Sequence, residues 1–141
     1  MRRPLHVGQF MTRRPLCCGP DDALLEVRDR MLARNIHHVP VVDGGEIVGI
    51  ISASDIDTLY RCPYADLSRA IVADAMSAAP YVVSIFTPIE EVVRTMAAQR
   101  WGSAVVVDRK RRVRGIFTTV DALGLLAGLT VSHRGQSATP S

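Results

Sequence analysis

The stretch Gly49-Ile50-Ile51-Ser52-Ala53-Ser54-Asp55 decides the fold, because a second stretch repeats its pattern 66 residues later: Gly115-Ile116-Phe117-Thr118-Thr119-Val120-Asp121. Each stretch has a glycine, two apolar residues, a hydroxyl residue and an acid three positions after the hydroxyl. A short apolar run predicts a buried strand, and the hydroxyl residue is a good N-cap for a following helix. The pattern therefore predicts the same strand-to-helix junction twice.

Comparison of the sequence with itself extends the repeat outward from these stretches. A shift of 65 residues aligns Met11 with Met76, Pro15 with Pro80, and residues 41–43 with 106–108; one extra residue in the basic turn then changes the shift to 66. Self-similarity at a fixed period indicates a repeated structural unit. We predict one unit over residues 8–60 and another over 73–129, joined by a connecting segment, 61–72. The polar tail, 130–141, is expected to be disordered.

Each copy is predicted to have the order β-α-β-β-α, which gives an α/β (α+β) fold of two related repeats. Predicted strands cover residues 16–18, 39–42 and 47–51 in copy one, and 81–83, 104–107 and 113–117 in copy two. The first helix of copy one carries Leu24, Val27, Met31 and Leu32 at helical spacing, with Asp22 as its cap; its counterpart carries Ile89, Val92, Val93 and Met96. For that helix Thr87, Pro88 and Glu90 predict a capping box. The second helices are expected to begin near Ser54 and Val120.

Composition excludes several classes of protein. The chain has 141 residues, of which 48% are hydrophobic and 22% charged, which is enough for a core without disulfides. The longest apolar stretch, residues 122–131, is interrupted by glycine and is too short for a membrane span. With three cysteines and no apolar leader, the sequence indicates a cytoplasmic protein. Cys17 and Cys18 are adjacent on a strand and point to opposite faces, which argues against a shared metal.

Charge and motif content disfavour two further classes, nucleic-acid-binding proteins and enzymes. The net charge is +3 and 16 of the 17 basic residues are arginine, but the one dense cluster, residues 109–112, is more typical of a solvated hairpin tip than of a nucleic-acid surface. We also find no nucleophile elbow, phosphate-binding Walker loop or dinucleotide fingerprint. The sequence therefore predicts no catalytic residues, no metal and no enzyme.

The duplicated junction has a chemical rationale as a binding site. A glycine lets a ligand approach the backbone, and a hydroxyl at a helix N-terminus lies where amides and the dipole favour an anion. An acid one turn later is placed to accept hydrogen bonds from two ribose hydroxyls. The alternative is that Ser52 and Thr118 only cap the second helices, with Asp55 and Asp121 supporting the first turn. The two roles are compatible.

Taken together, these residues resemble a tandem pair of cystathionine-beta-synthase (CBS) domains, also called a Bateman module. The resemblance rests on residues 10–12, 36–43 and 49–55 in copy one, and on 75–77, 104–108 and 115–121 in copy two. It covers nearly the whole chain. Copy two departs from the family pattern, since Val105 stands where Pro40 does and Trp101-Gly102-Ser103 replaces Ile36-His37-His38. Two chemically unequal ligand sites are therefore expected.

The resemblance implies clefts between the two repeats that bind an adenine nucleotide, AMP, ADP or ATP, with S-adenosylmethionine or NAD as other adenosyl ligands. One cleft takes the hydroxyl and acid of copy two with copy-one residues: Thr118, Asp121, Leu16, His37, His38 and Pro40. The other takes the reverse set: Ser52, Asp55, Tyr81, Gly102, Ser103 and Val105. The histidine-containing cleft is expected to prefer the more phosphorylated ligand when an imidazole is protonated.

The resemblance also implies a regulatory homodimer that requires no cofactor and controls an enzyme or transporter. Two other functions compete with this one. The first is a protein-protein assembly module whose clefts hold no ligand, and the second is nucleic-acid binding through the arginine-rich turn. Trp101, which precedes a strand, is expected to line a cleft or a dimer contact.

Overall fold

The computed structural model describes residues 4–128 and divides them into two compact units. Unit 1 contains residues 4–15 and 81–128, and unit 2 contains residues 16–80. The expected disordered tail, 130–141, lies outside the described residues. Unit 1 therefore combines most of copy two with the segment at the start of copy one. Unit 2 combines most of copy one with the segment at the start of copy two.

Within residues 4–128, six strands and four α-helices confirm the mixed α/β class and the two β-α-β-β-α repeats. In chain order they are β1 Thr12–Arg13, α1 Leu24–Arg34, β2 His38–Asp43, β3 Glu46–Ser52, α2 Ala53–Tyr60, β4 Val82–Ser84, α3 Ile89–Gln99, β5 Ser103–Val107, β6 Val113–Thr118 and α4 Thr119–Leu126. The predicted starts of the second helices, Ser54 and Val120, are each within one residue of the observed starts.

The sheets of the two units have related topologies but differ in extent, with four strands in unit 1 and two in unit 2. In unit 1 the strand order is β1-β6-β5-β4, with β4 parallel to β5 and the other pairs antiparallel. In unit 2 the antiparallel pair β2-β3 is flanked by two isolated bridges, Cys18 with Val41 and Ile50 with Ser77. The predicted strand over residues 16–18 is thus reduced to one bridge at Cys18.

Apolar side chains on one stripe of each first helix form the two cores. Leu24, Val27 and Met31 are buried in unit 2, and Val92 and Met96 are buried in unit 1, as the helical spacing predicts. Leu32 and Val93 were predicted on these stripes, and both predictions are wrong, because the two residues are 65% and 37% exposed. Each directly follows a buried residue of its helix and is therefore rotated about 100° away from the buried stripe.

The predicted caps of these two helices are also wrong. Asp22 accepts a hydrogen bond from the Gly19 amide at 2.9 Å, and Thr87 Oγ1 accepts one from the Ser84 amide at 3.1 Å, so both side chains stabilise the preceding turns. The helix amides find backbone acceptors instead. Leu24 N donates to Ala70 O at 3.0 Å, and Ile89 N donates to Leu5 O at 2.9 Å. Helix starts satisfied in this way need no side-chain cap.

The segment at the start of each copy packs into the core that is formed mainly by the other copy. Val7 is fully buried in unit 1, where its amide donates to Thr87 O, and Val72 is fully buried in unit 2, where its amide donates to Asp22 O. Further along the same segments, Thr12 pairs with Ile116 and Ser77 with Ile50. This exchange brings residues of copy one beside the strand-to-helix junction of copy two, and the reverse.

Candidate functional site

The junction at the end of β3 folds into a reciprocal capping box. The amide of Asp55 donates to Ser52 Oγ at 3.1 Å, and the amide of Ser52 donates to Asp55 Oδ2 at 2.9 Å. These bonds satisfy amides that the start of α2 leaves without helical partners. Asp55 is half-buried, and its other carboxylate oxygen, Oδ1, has no hydrogen bond within the described residues. One oxygen of this acid is therefore available to a ligand.

The matching junction at the end of β6 is more closed. Asp121 N donates to Thr118 Oγ1 at 3.4 Å, and Thr118 N donates to Asp121 Oδ2 at 2.9 Å. The second carboxylate oxygen, Oδ1, accepts from Thr12 Oγ1 at 3.5 Å, and Asp121 is only 1% exposed. Both oxygens are thus engaged inside unit 1. The two acids that the sequence makes equivalent differ in accessibility.

The glycines of the repeated pattern serve protein contacts rather than a ligand. A Cβ atom on Gly115 would lie 2.8 Å from Thr12 O and would also meet the Met11 thioether; one on Gly49 would lie 2.8 Å from Ser77 O. The sequence predicts that these positions let a ligand approach the backbone. In the structure the space beside them is filled by the segment that pairs with each strand.

Strand pairing places the histidines next to the acid of their own unit. His38 lies opposite Ser52 across β2 and β3, and His37 O accepts from Ala53 N at 2.9 Å. In unit 1 the equivalent partners are Ser103 opposite Thr118, and Gly102 O accepting from Thr119 N at 3.1 Å. Ser52, Asp55 and His38 therefore lie together in unit 2, with the His37 main chain beside the start of α2. The sequence-based assignment of the histidines to the cleft of Asp121 stays a prediction.

Burial lowers the pKa of His38 below its usual 6.5; the neighbouring His37 lowers it further, and Asp55 partly opposes both effects. The neutral imidazole is thus favoured in the folded protein near neutral pH. A protonated His38 beside a phosphate, as the sequence suggested, requires a pH below 6.5 or a ligand charge that offsets the burial.

The remaining predicted site residues differ in exposure. Pro40 is buried, as are Ser103 and Val105, whose side chains are 9% and 1% exposed. Leu16 and Tyr81 are half-buried. Val105 N donates to Tyr81 O at 2.8 Å, so the backbone at this position is already paired. For the buried members only main-chain atoms remain to contact a ligand, and their role stays a prediction.

Two surface cavities beside the helices were not found from the sequence. The unit 2 cavity, of about 210 Å³, is lined by Arg28, Met31, Leu32, Asn35, Ile36, His37, Ala53, Ile56 and Asp57. The unit 1 cavity, of about 330 Å³, is lined by Val93, Met96, Ala97, Arg100, Trp101, Gly102, Thr119 and Ala122. Each forms where the first and second helices of a unit meet, a juxtaposition that depends on tertiary packing rather than on any local motif.

Cys17 and Cys18 have the properties of structural residues. Cys18 is buried, and desolvation raises its pKa to about 12, so the thiolate is strongly disfavoured. Burial also raises the pKa of Cys17. Across residues 4–128 there is no group of three or more His, Cys, Asp or Glu side chains placed to hold a metal ion. In the same range no helix is both long and apolar enough to cross a bilayer.

The fold and the two capping-box junctions define a protein built from a duplicated α/β domain. The sequence model of the CBS domain matches the chain twice, over residues 7–60 and 72–128. The chain belongs to the CBS domain family, and the resemblance seen in the sequence is confirmed.

Known proteins agree with this assignment. A CBS domain-containing protein of Dictyostelium discoideum is 28% identical over 130 residues, covering 85% of this chain and 90% of the relative. Several other curated relatives are longer, and the chain spans less than half of their length.

Two solved structures are also similar. The CBS domain pair of protein MJ0100, solved with 5'-methylthioadenosine and S-adenosyl-L-methionine, superposes with a TM-score of 0.80 at 25% identity and covers 89% of this chain and 98% of that one. CBSX2, solved with AMP, gives a TM-score of 0.77 at 23% identity over 87% of this chain and 96% of that one. The second comparison, at lower identity, supports the fold alone.

The burial difference between the two acids predicts unequal effects on stability. Asp121→Ala removes the acceptor of the Thr118 amide and the Thr12 hydroxyl in a buried site, so we expect a loss of about 2–3 kcal/mol in the free energy of unfolding. Asp55→Ala removes a more exposed cap and should cost about 1 kcal/mol. Urea denaturation checks both. Equal losses would show that the burial of Asp121 does not matter to folding.

The lowered pKa of His38 predicts a loss of stability in mild acid. As pH falls through 6.5 the unfolded chain binds a proton that folded His38 resists, so the free energy of unfolding should decrease until the folded pKa is reached. His38→Gln should flatten this slope, measured by denaturation between pH 5 and 8. His37→Gln should retain most of the slope, because burial lowers the pKa of His38 more than the neighbouring His37 does. An unchanged slope in His38→Gln would contradict the assignment.

Proposed function

We propose that this chain is a regulatory module that binds an adenine nucleotide or a related adenosyl ligand and catalyses no reaction itself. The observation that carries the proposal is the half-buried carboxylate of Asp55, which presents a free oxygen at the start of α2. Support also comes from family membership and from the adenosyl ligands in the solved CBS domain pair at 25% identity.

Asp55 is our candidate for the ribose acceptor. A carboxylate oxygen accepts hydrogen bonds from the vicinal ribose hydroxyls, and such charge-assisted bonds are about twice as strong as neutral ones. Its other oxygen stays on the Ser52 amide, so binding does not cost the helix its cap. Asp121 is only 1% exposed, and its second oxygen already accepts a long hydrogen bond from the Thr12 hydroxyl, so a ligand has little access to it. We therefore propose that the Ser52–Asp55 junction binds the adenosyl ligand more tightly.

The second role of the module is association with a copy of itself. In unit 1 four apolar side chains, Trp101, Val120, Leu123 and Leu126, are 44–85% exposed, on α4 and beside the 330 Å³ cavity. Arg100 is the one charged residue that lines the cavity. Exposed apolar patches of this kind mark interaction sites, and an uncharged patch is self-complementary about a twofold axis. We name Trp101, Val120, Leu123 and Leu126 the α4 face and propose that it is the homodimer contact.

The ligand proposal is tested by thermal denaturation with AMP, ADP, ATP, S-adenosylmethionine and 5'-methylthioadenosine, with GMP as the control lacking adenine. A ligand at about 100 times its Kd adds about 2.7 kcal/mol, or several degrees in Tm. Asp55→Asn should weaken the best ligand roughly tenfold to a hundredfold, whereas Asp57→Asn, an exposed acid on the same helix, should not. An assembly module without a ligand would show no shift with any compound.

The dimer proposal predicts a mass of twice 15.4 kDa by light scattering at micromolar concentration. Leu123→Glu places a charge in the α4 face and should produce a monomer, because burying an unpaired carboxylate is costly. Phe86→Glu, at a side chain of unit 1 that is 70% exposed and lies outside the face, is the matched control and should remain dimeric. A monomeric parent protein would contradict the proposal.

A further inference from the structure

The cavity of unit 2 occupies the same place in its repeat as the cavity of unit 1. The repeat shift of 65 to 66 residues aligns every residue that lines the unit 1 cavity with one that lines the unit 2 cavity. Two positions that are apolar in unit 1 are charged in unit 2: Arg28 stands where unit 1 has Val93, and Asp57 stands where it has Leu123. The two helical faces are therefore equivalent in the fold but differ in charge.

Neither of these two charged residues has an ion-pair partner in its own unit. Within residues 4–128 the side chains of Arg28 and Asp57 make no ion pair. Arg28 is half-buried, and its guanidinium carbon lies over the Tyr60 ring, 4.8 Å from the ring centroid, whereas Asp57 is exposed. An aromatic face attracts a cation but does not neutralise its charge. Both charges are therefore available to an oppositely charged group on a partner.

Apolar side chains accompany these charges. Leu32, on α1, is 65% exposed and lines the cavity. Tyr60, at the end of α2, is 42% exposed and contacts Arg28 through its ring. Exposed apolar side chains that cluster beside a cavity are typical of interaction sites. We define the α2 face as Arg28, Leu32, Asp57 and Tyr60, all in unit 2.

One cation and one anion make the α2 face complementary to itself. About a twofold axis, residue i of one copy contacts residue j of the other, and j contacts i. Arg28 of each copy then meets Asp57 of the other, which gives two charge-assisted contacts from one pair of residues. The unit 1 cavity offers no acid, since Arg100 is the one charged residue that lines it. Against that face Arg28 would be buried without a counter-ion, which is costly.

We propose that the α2 face binds the α2 face of a second copy, with reciprocal contacts between Arg28 and Asp57. This inference rests on the homodimer proposed above and adds a second contact to it, so that unit 2 of one copy meets unit 2 of the other. Asp55 and Asp57 both lie on α2. A ligand that binds at Asp55 therefore acts on the helix that forms the contact between subunits.

The test is a charge-exchange series on the full chain, with the dimer Kd measured by sedimentation. Arg28→Glu leaves two acids on the α2 face and Asp57→Arg leaves two bases, so each variant alone should raise the Kd at least about tenfold. The double variant Arg28→Glu/Asp57→Arg should return to within about threefold of the parent, because the two changes compensate each other. An equimolar mixture of the two single variants should form mixed dimers in preference to either homodimer, as counted by native mass spectrometry.

The matched control exchanges the same charges at Glu26 and Arg30, an ion pair of α1 at 3.0 Å that lies outside the cavity. Glu26→Arg and Arg30→Glu should dimerise as the parent does. Arg28→Gln tests the sign of the effect. It leaves Asp57 without a partner if two α2 faces meet, and so weakens the dimer, whereas it would strengthen a contact in which Arg28 is buried against unit 1. Asp57→Arg and Arg28→Gln keep the test decisive if the Tm shows that Arg28→Glu does not fold.

Three results would contradict the α2 contact while leaving the homodimer itself intact. They are a dimer that neither the double variant nor the mixture restores, a tighter dimer in Arg28→Gln, and equal weakening by the control variants. A monomeric parent would instead contradict the homodimer, and with it this inference.

Discussion

The close approach of two backbone segments at Gly49 and Gly115 is the constraint on which the rest of the structure depends. At Gly115 the carbonyl of Thr12 occupies the position that any side chain would need, and at Gly49 the carbonyl of Ser77 does the same. These contacts hold the chain before each repeat against the opposite core, where Val7 and Val72 are fully buried. The same pairing brings Thr12 to Asp121.

Local sequence patterns predicted the elements well because the relevant forces act over a few residues. The capping boxes of Ser52 with Asp55 and of Thr118 with Asp121 involve atoms three residues apart, and the buried stripe of α1 follows from helical periodicity alone. Predictions failed where a distant segment supplied the missing partner. Asp22 and Thr87 looked like caps, yet the helix amides that they would have satisfied are bonded to the carbonyls of Ala70 and Leu5.

The candidate site likewise has features that local sequence predicts and features that depend on distant segments. The hydroxyl, the acid and their spacing were evident from the sequence, whereas the difference between the acids was not. Asp121 is closed by a threonine 109 residues away, and Asp55 is left with an open oxygen. Two junctions with the same sequence pattern thus differ in burial, and only Asp55 keeps a carboxylate oxygen that no hydrogen bond within the described residues uses.

The exchanged segments make the duplication inseparable. A chain cut between the repeats would leave one half without Val72 and Ser77 and the other without Val7 and Thr12, so neither half would contain a complete core. A substitution that stabilises the core of one unit therefore also stabilises the packed segment that comes from the other copy.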